Sequence, residues 1–242
     1  DKYRVMVFDF PGQGKSSIRS VPFSVTFEEQ VRIFKVMRDL IPATDPVYIV
    51  GLSWGGVIAA SFLSRHPDAA KKLILASFIA RPNARLREII RLGKEMASTG
   101  AFVEIAGLMV DGFGKGLPLY LKQLINRQFE SINDISMRAF EQYATWIESV
   151  KAVSDFADLG RIRSNTLLVI GEDDVIVDFS DLRDAATQIP CNEFVMIRNV
   201  GHFLHLEDES VFDIYARFFA AEEKKKDYKR YMGAYLRGRH IK

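Results

Sequence analysis

The sequence predicts an α/β fold: a mostly parallel sheet covered by helices on both faces, with a helical segment inserted into it. Two observations carry this. Short, continuously apolar, β-rich runs alternate with helical stretches up to about residue 80 and again from residue 162. Such runs are the pattern of strands buried on both faces. Between them, residues 81–161 show helical periodicity and no convincing strand, which marks an insertion into the alternating core. At 242 residues, 48% hydrophobic and 26% charged, the chain is long enough to build its core without disulfide or metal staples.

In chain order, residues 3–8 (YRVMVF) read as a buried strand entering the turn Asp9-Phe10-Pro11-Gly12. Residues 26–40 read as a helix, with Phe27, Val31, Phe34, Met37 and Leu40 spaced three or four apart and Thr26 with Glu29 forming a capping box. Residues 47–50 (VYIV) form the next strand, 57–64 a helix that stops before His66-Pro67, and 73–76 (LILA) a third strand. Within the insertion, 85–96, 102–110, 117–129 and 136–150 read as helices, broken at Gly100, at 112–116 and at Asn133-Asp134. Alternation then resumes: strand 166–170, helix 179–187, strand 194–197 and helix 209–221. The organisation is therefore 1–80 core, 81–161 helical lid, 162–221 core, and 222–242 a charge-rich tail with a basic excess, read as a solvated end.

Composition excludes several function classes. The single cysteine, Cys191, allows neither an internal disulfide framework nor a cysteine-based zinc site. With 33 basic and 31 acidic residues, the net charge of +2 is far below the footprint of a general nucleic-acid binder. No apolar run reaches the length that spans a bilayer, and a cytoplasmic location is expected.

Ile49-Val50-Gly51-Leu52-Ser53-Trp54-Gly55-Gly56 places G-x-S-x-G between a strand and an apolar helix. A nucleophilic serine needs that setting, a sharp turn that projects its hydroxyl above the sheet. The flanking glycines are expected to remove clashing side chains, and the Trp54 N–H at the helix start to face an oxyanion. The bland alternative gives the glycines to strand–helix packing and Ser53 to helix capping. A serine also needs a base, and the chain has four histidines. His66 stands at a helix end, His205 at a helix start where a surface role is open, and His240 in the tail. His202 follows the last strand in a loop, where open α/β sheets place functional groups. The orienting acid is sought in Gly171-Glu172-Asp173-Asp174, after the strand 166–170. Asp174 is the choice, Asp173 the runner-up, and Asp9 an outside candidate. Gly12-Gln13-Gly14 resembles a fragment of a phosphate loop, but Ser17 stands where the third glycine of a dinucleotide loop is needed.

Taken together, Phe8 to Ser16 (FDFPGQGKS), Gly51-Leu52-Ser53-Trp54-Gly55-Gly56, Gly171 to Asp174 and Gly201-His202 resemble the α/β-hydrolase superfamily over about residues 3–221. The resemblance implies Ser53 as nucleophile, His202 as base and Asp174 as acid. It also implies strands preceding Tyr3, whose loop would donate a second oxyanion N–H; these are missing from the given chain, which reads as a fragment. Ser53-Trp54-Gly55-Gly56, Gly201 to Glu207 (GHFLHLE) and Gly114-Lys115-Gly116-Leu117-Pro118 look like the group holding the rhamnolipid-precursor synthase and the 3-hydroxyacyl-carrier-protein:CoA transacylase. That likeness implies a small-molecule acyl ester or thioester as partner, with medium-chain 3-hydroxyacyl groups among the substrates, and no cofactor. Gly51 departs from that group, which often has another small residue there, and so leans toward an ordinary esterase. The apolar insert residues Phe102, Ile105, Leu108, Met109, Phe113, Leu117, Tyr120, Leu121, Phe140 and Trp146 either pack on one another or line an acyl pocket. Three other outcomes stay open: a catalytically impaired binding or scaffold protein, a lyase or haloperoxidase on the same core, and a dinucleotide binder.

Overall fold

The computed structural model describes residues 3–17, 25–114, 116–130, 132 and 134–221. The charged tail, 222–242, and His240 within it lie outside the described residues. Helix α1 (Phe27–Asp39) starts where the capping box places it: the Glu29 N–H donates to Thr26 Oγ1 while Thr26 N–H donates to the Glu29 carboxylate. Strand β1 (Tyr48–Leu52) leads into α2 (Trp54–Arg65), and β2 (Lys72–Ala76) follows. The insertion contributes α3 (Ala84–Ser98), α4 (Phe102–Phe113), α5 (Leu119–Glu130) and α6 (Asp134–Ser149). Two 3₁₀ turns then lead to β3 (Asn165–Gly171), α7 (Phe179–Gln188), β4 (Asn192–Ile197), the single turn α8 (Leu204–Glu207) and α9 (Ser210–Ala220).

The four strands run parallel in the order β1-β2-β3-β4. Because side chains alternate along a strand, the sheet divides its apolar residues between two layers. Leu73, Leu75, Leu168 and Ile170 join the core built with α1, α2 and α7. Ile74, Ala76, Leu167, Val169, Val195 and Ile197 face the other way, against α8 and α9. The central strands β2 and β3 are covered on both faces and read as unbroken apolar runs, whereas β1 leaves Val50 and Leu52 exposed on one face. Among the described residues no helix is long and apolar enough to cross a membrane.

One expected element does not form. Residues 3–8 adopt no regular secondary structure and make no ladder with the sheet, and Val5 and Val7 are 83% and 85% exposed. Tyr3 packs on Tyr48 and Phe219, and Phe8 on Phe10 and Phe34. These contacts are made by side chains alone, whereas a strand is defined by backbone hydrogen bonds to a neighbour. A smaller difference concerns the glycines at 112–116. Helix α4 runs through Gly112 and ends at Phe113, with Gly114 as its C-cap.

The insertion is anchored at both ends. Val153 N–H donates to Ala80 O at 2.7 Å, and the Arg87 guanidinium donates to the carbonyls of Glu148 and Val150. Toward the core, Tyr143 Oη donates to Pro11 O at 3.0 Å, Trp146 Nε1 to Val25 O at 3.1 Å, and Val25 N–H to Gln142 Oε1 at 2.8 Å.

Candidate active site

The end of β1 is built by steric exclusion. A Cβ on Gly51 would stand 2.7 Å from Gly56 Cα, and one on Gly56 would stand 2.8 Å from the Phe78 ring. Strand and helix therefore approach more closely than any side chain permits. Gly55 differs from the expectation, since nothing lies within 4 Å of the Cβ it lacks. The two demanding positions are Gly51 and Gly56. Between them Ser53 adopts φ 50°, ψ −120°, a conformation sparsely populated by residues with a side chain, and such strain collects at functional sites. Its backbone is held by Ser53 N–H donating to Ala76 O at 2.9 Å. Its side chain makes no cap bond to α2, so the capping alternative does not describe this serine. Helix α2 begins at Trp54, and the N–H groups of a first turn lack intrahelical acceptors.

The loops after β3 and β4 are tied to each other. Glu172 N–H donates to Ile197 O and Asp173 N–H to Val200 O. A Cβ on Gly171 would overlap the Val200 carbonyl. This lacing brings the acid loop against the histidine loop. His202 Nδ1 lies 2.8 Å from Asp174 Oδ2, and His202 Nε2 lies 3.0 Å from Ser53 Oγ. Their side chains are almost withdrawn from solvent, 6% for His202 and 0% for Asp174. The other Asp174 oxygen accepts from the N–H groups of Ile176 and Val177 at 3.1 and 3.2 Å. A carboxylate held at both oxygens fixes the imidazole tautomer, with the proton on Nδ1 and the Nε2 lone pair facing the serine hydroxyl.

The other candidates are placed elsewhere. Glu172 and Asp173 are exposed, and Asp9 accepts from Lys15 N–H within its own turn. His66 is the C-cap residue of α2. His205 is not a surface residue: it is half-buried against Phe212 and Tyr215, and burial holds its pKa below the usual histidine range. Among the described residues, no group of three or more His, Cys, Asp or Glu is arranged to hold a metal ion.

Four neighbours escaped the sequence reading. Phe113, at the end of α4, packs its ring on His202 and Phe203 with centroids 5.7 and 6.2 Å apart. The buried Ser77 donates its hydroxyl to the His202 carbonyl at 2.9 Å. Gln30 accepts from Trp54 Nε1 at 2.9 Å. The Glu207 carboxylate accepts from Gly201 N–H and Phe203 N–H. Gln30 carried a readable signal, a polar residue three positions after Phe27 and therefore on the apolar stripe of α1. Ser77 and Phe113 are joined to His202 by long-range folding, which spacing alone does not reveal, whereas Glu207 lies five residues after His202 and reaches its loop through local hydrogen bonds.

The named insert residues pack in two groups. Phe102, Met109 and Phe140 pack around Ile105 with Met137 and Ala97. Leu108, Phe113 and Trp146 instead reach the main core, and Tyr120 is exposed.

Residues 1–89 match the family model described as the alpha/beta hydrolase fold. The (R)-3-hydroxydecanoyl-ACP:CoA transacylase of Pseudomonas putida is 24% identical over 216 residues, covering 86% of this chain and 70% of that protein. The poly(3-hydroxyalkanoate) depolymerase of Ectopseudomonas oleovorans is 27% identical over 242 residues, covering 91% and 76%. Among solved structures, MGS-M2, an alpha/beta hydrolase enzyme from a Medee basin deep-sea metagenome library, superimposes with a TM-score of 0.73 at 21% identity, covering 89% of this chain and 79% of that one. The parallel sheet with helices on both faces is the α/β-hydrolase fold, and the family model matched over residues 1–89 and these relatives make the chain similar to hydrolases and acyltransferases of that superfamily.

Proposed function

We propose that the chain cleaves or transfers acyl groups of carboxylic esters or thioesters through an acyl-Ser53 intermediate. The observation that carries this reading is the continuous relay from Ser53 Oγ to His202 Nε2, 3.0 Å, and from His202 Nδ1 to Asp174 Oδ2, 2.8 Å. Ser53 Oγ attacks the acyl carbonyl as His202 Nε2 takes the hydroxyl proton. The imidazolium then returns that proton to the leaving alcohol or thiol, while Asp174 holds the tautomer and stabilises the charged ring. The Trp54 N–H at the start of α2 faces the developing oxyanion, aided by the helix dipole. Water or a second hydroxyl or thiol then attacks the acyl-enzyme, with His202 as base again. The insert 81–161 acts as a lid, and its access to water decides between hydrolysis and transfer.

The test of the acyl-serine reading is covalent. A fluorophosphonate should add to the wild-type protein and be mapped to Ser53, and Ser53→Ala should abolish the addition. A wild-type protein that stays unlabelled would reject the mechanism and favour a binding or scaffold role.

A narrower reading concerns the acyl group. One relative is named for transfer of a 3-hydroxydecanoyl group and another for depolymerising a poly(3-hydroxyalkanoate). Both names refer to 3-hydroxyacyl carbonyls, one with a thiol acceptor and one as an ester. We infer that medium-chain 3-hydroxyacyl groups are the preferred substrate class. Across p-nitrophenyl esters from acetate to decanoate, each newly buried methylene is worth about 0.8 kcal/mol, so four buried carbons should raise kcat/KM more than about a hundredfold. An optimum at acetate would reject an apolar acyl channel. A 3-hydroxyacyl thioester yielding free acid alone marks a hydrolase, and an ester-linked dimer or exchanged thioester marks a transferase.

A further inference from the structure

We propose that Glu207 is a positioning residue for His202, and that the turn at Gly116 sets the place of its carboxylate; the inference rests on His202 acting as the base. Gly201 N–H donates to Glu207 Oε2 at 2.7 Å and Phe203 N–H donates to Oε1 at 3.2 Å. The two amides belong to the residues on either side of His202. One carboxylate thus holds the amide N–H of the residue before the base and of the residue after it, with one oxygen for each. Ser77 Oγ, just past the end of β2, donates to the His202 carbonyl. With its backbone held at these points, the imidazole has only its two side-chain torsions left, and Asp174 and the Phe113 ring oppose movement there.

The carboxylate reaches this position because α8 is a single turn. Glu207 N–H donates to Phe203 O, and the side chain folds back beneath the loop that precedes the helix. Among the described residues the half-buried carboxylate forms no ion pair. Its interactions are directed at the backbone of the histidine loop, where hydrogen bonds to a charged acceptor are the stronger kind.

The second part of the proposal comes from the insertion. A Cβ on Gly116 would overlap the Glu207 carboxylate at Oε2, the oxygen that accepts from Gly201. The insert backbone therefore abuts the group that holds the histidine loop. The obstructed atom is the free end of a flexible side chain, so a methyl at 116 would displace the carboxylate in preference to the turn. Movement of this part of the insert would be felt at His202 through Glu207, alongside the direct ring contact of Phe113.

The test compares Glu207→Gln, Glu207→Leu and Gly116→Ala with wild type on a p-nitrophenyl ester, with active sites counted by fluorophosphonate titration. Glu207→Gln keeps one acceptor oxygen and should lower kcat per titrated site about tenfold, and Glu207→Leu about a hundredfold, the scale of a small misplacement of a catalytic group. KM should stay within about twofold, because the acyl site is untouched. Gly116→Ala should lower kcat in the same direction and add little to Glu207→Leu, the non-additivity of two changes acting through one group. A purely structural role would lower the number of titratable sites or the melting temperature while leaving kcat per site at the wild-type value, and that result would overturn the proposal. So would full kcat in Gly116→Ala, for its second part. Wild-type protein that resists labelling would sink the acyl-serine reading and this inference with it. Labelled wild-type protein with an unchanged Glu207→Leu kcat would sink only the role of Glu207.

Discussion

The α/β core and the helical insertion are held by different means. Helix α2 buries nine of its twelve residues between the sheet and its neighbours, whereas α5, also twelve residues long, buries none and leaves Leu119, Tyr120 and Leu124 exposed. The core carries Ser53, Asp174 and His202 on loops laced by backbone bonds; the insert contributes ring contacts and a turn pressed against Glu207. The difference separates two tasks. In the mechanism proposed above, Ser53, Asp174 and His202 need fixed geometry, and they sit on the densely packed core. In the lid role proposed above, the insert can be held at fewer points, because low-stability segments are the ones that move.

The strongest way to break this comparison is at the relay itself. Asp174→Asn should preserve the fold and cost about 10⁴ in kcat through the wrong imidazole tautomer. Asp173→Asn and Asp9→Asn should leave kcat near wild type, since neither carboxylate reaches His202. Steady-state kinetics on one ester decides, and the reverse pattern would remove Asp174 from the site.

Next in size is the packing contrast. Leu75→Ala, in the fully buried centre of β2, should lower stability by about 2–5 kcal/mol, the usual cost of a core truncation. Leu124→Ser on α5 should stay within about 0.5 kcal/mol while altering KM for long acyl esters. Urea denaturation and a chain-length series together measure both. Equal destabilisation at the two sites would mean that core and insert form one cooperative unit.

A smaller effect sharpens the comparison at the turn after β1. Gly56→Ala drives a methyl into the Phe78 ring and should cost about 1–3 kcal/mol as an overpacking change. Gly55→Ala meets open space and should be tolerated, with activity retained. Thermal melts of the two variants test the claim that only one of these adjacent glycines is required by packing.

The smallest effect is electrostatic. Burial against Phe212 and Tyr215 lowers the His205 pKa, so below the ordinary histidine pKa the unfolded chain binds a proton that the folded chain resists. That contribution to stability is full above about pH 6.5 and is lost as pH falls toward the folded value. His205→Phe should flatten the acid-side decline in melting temperature. An unchanged pH slope would show that other groups set it.

Much of this molecule was legible in the sequence because the signals were local. The capping box at Thr26 and Glu29, the apolar strand runs and the helical periods from 84 to 149 depend on neighbours a few residues apart, and the elements appear within a few residues of their expected ends. Ser53 was readable for the same reason, since a strand, a tight turn and a helix surround it in a row. Tertiary structure decided the remainder. Residues 3–8 have a strand's composition, but a strand exists only through a partner's hydrogen bonds, and here the segment is held by ring contacts instead. The place of Asp174 at the end of the G-x-x-D turn favoured it over Asp173 only weakly; the lacing of the β3 and β4 loops turns Asp174 toward His202 and leaves Asp173 exposed. Glu207 and Gly116 lie far apart in the chain, and their contact exists only because the insert folds back over the histidine loop. Sequence determines which elements can form, through steric and hydrogen-bond rules that act over a turn or a strand. Which groups face each other across the site depends on long-range packing, which no local pattern encodes.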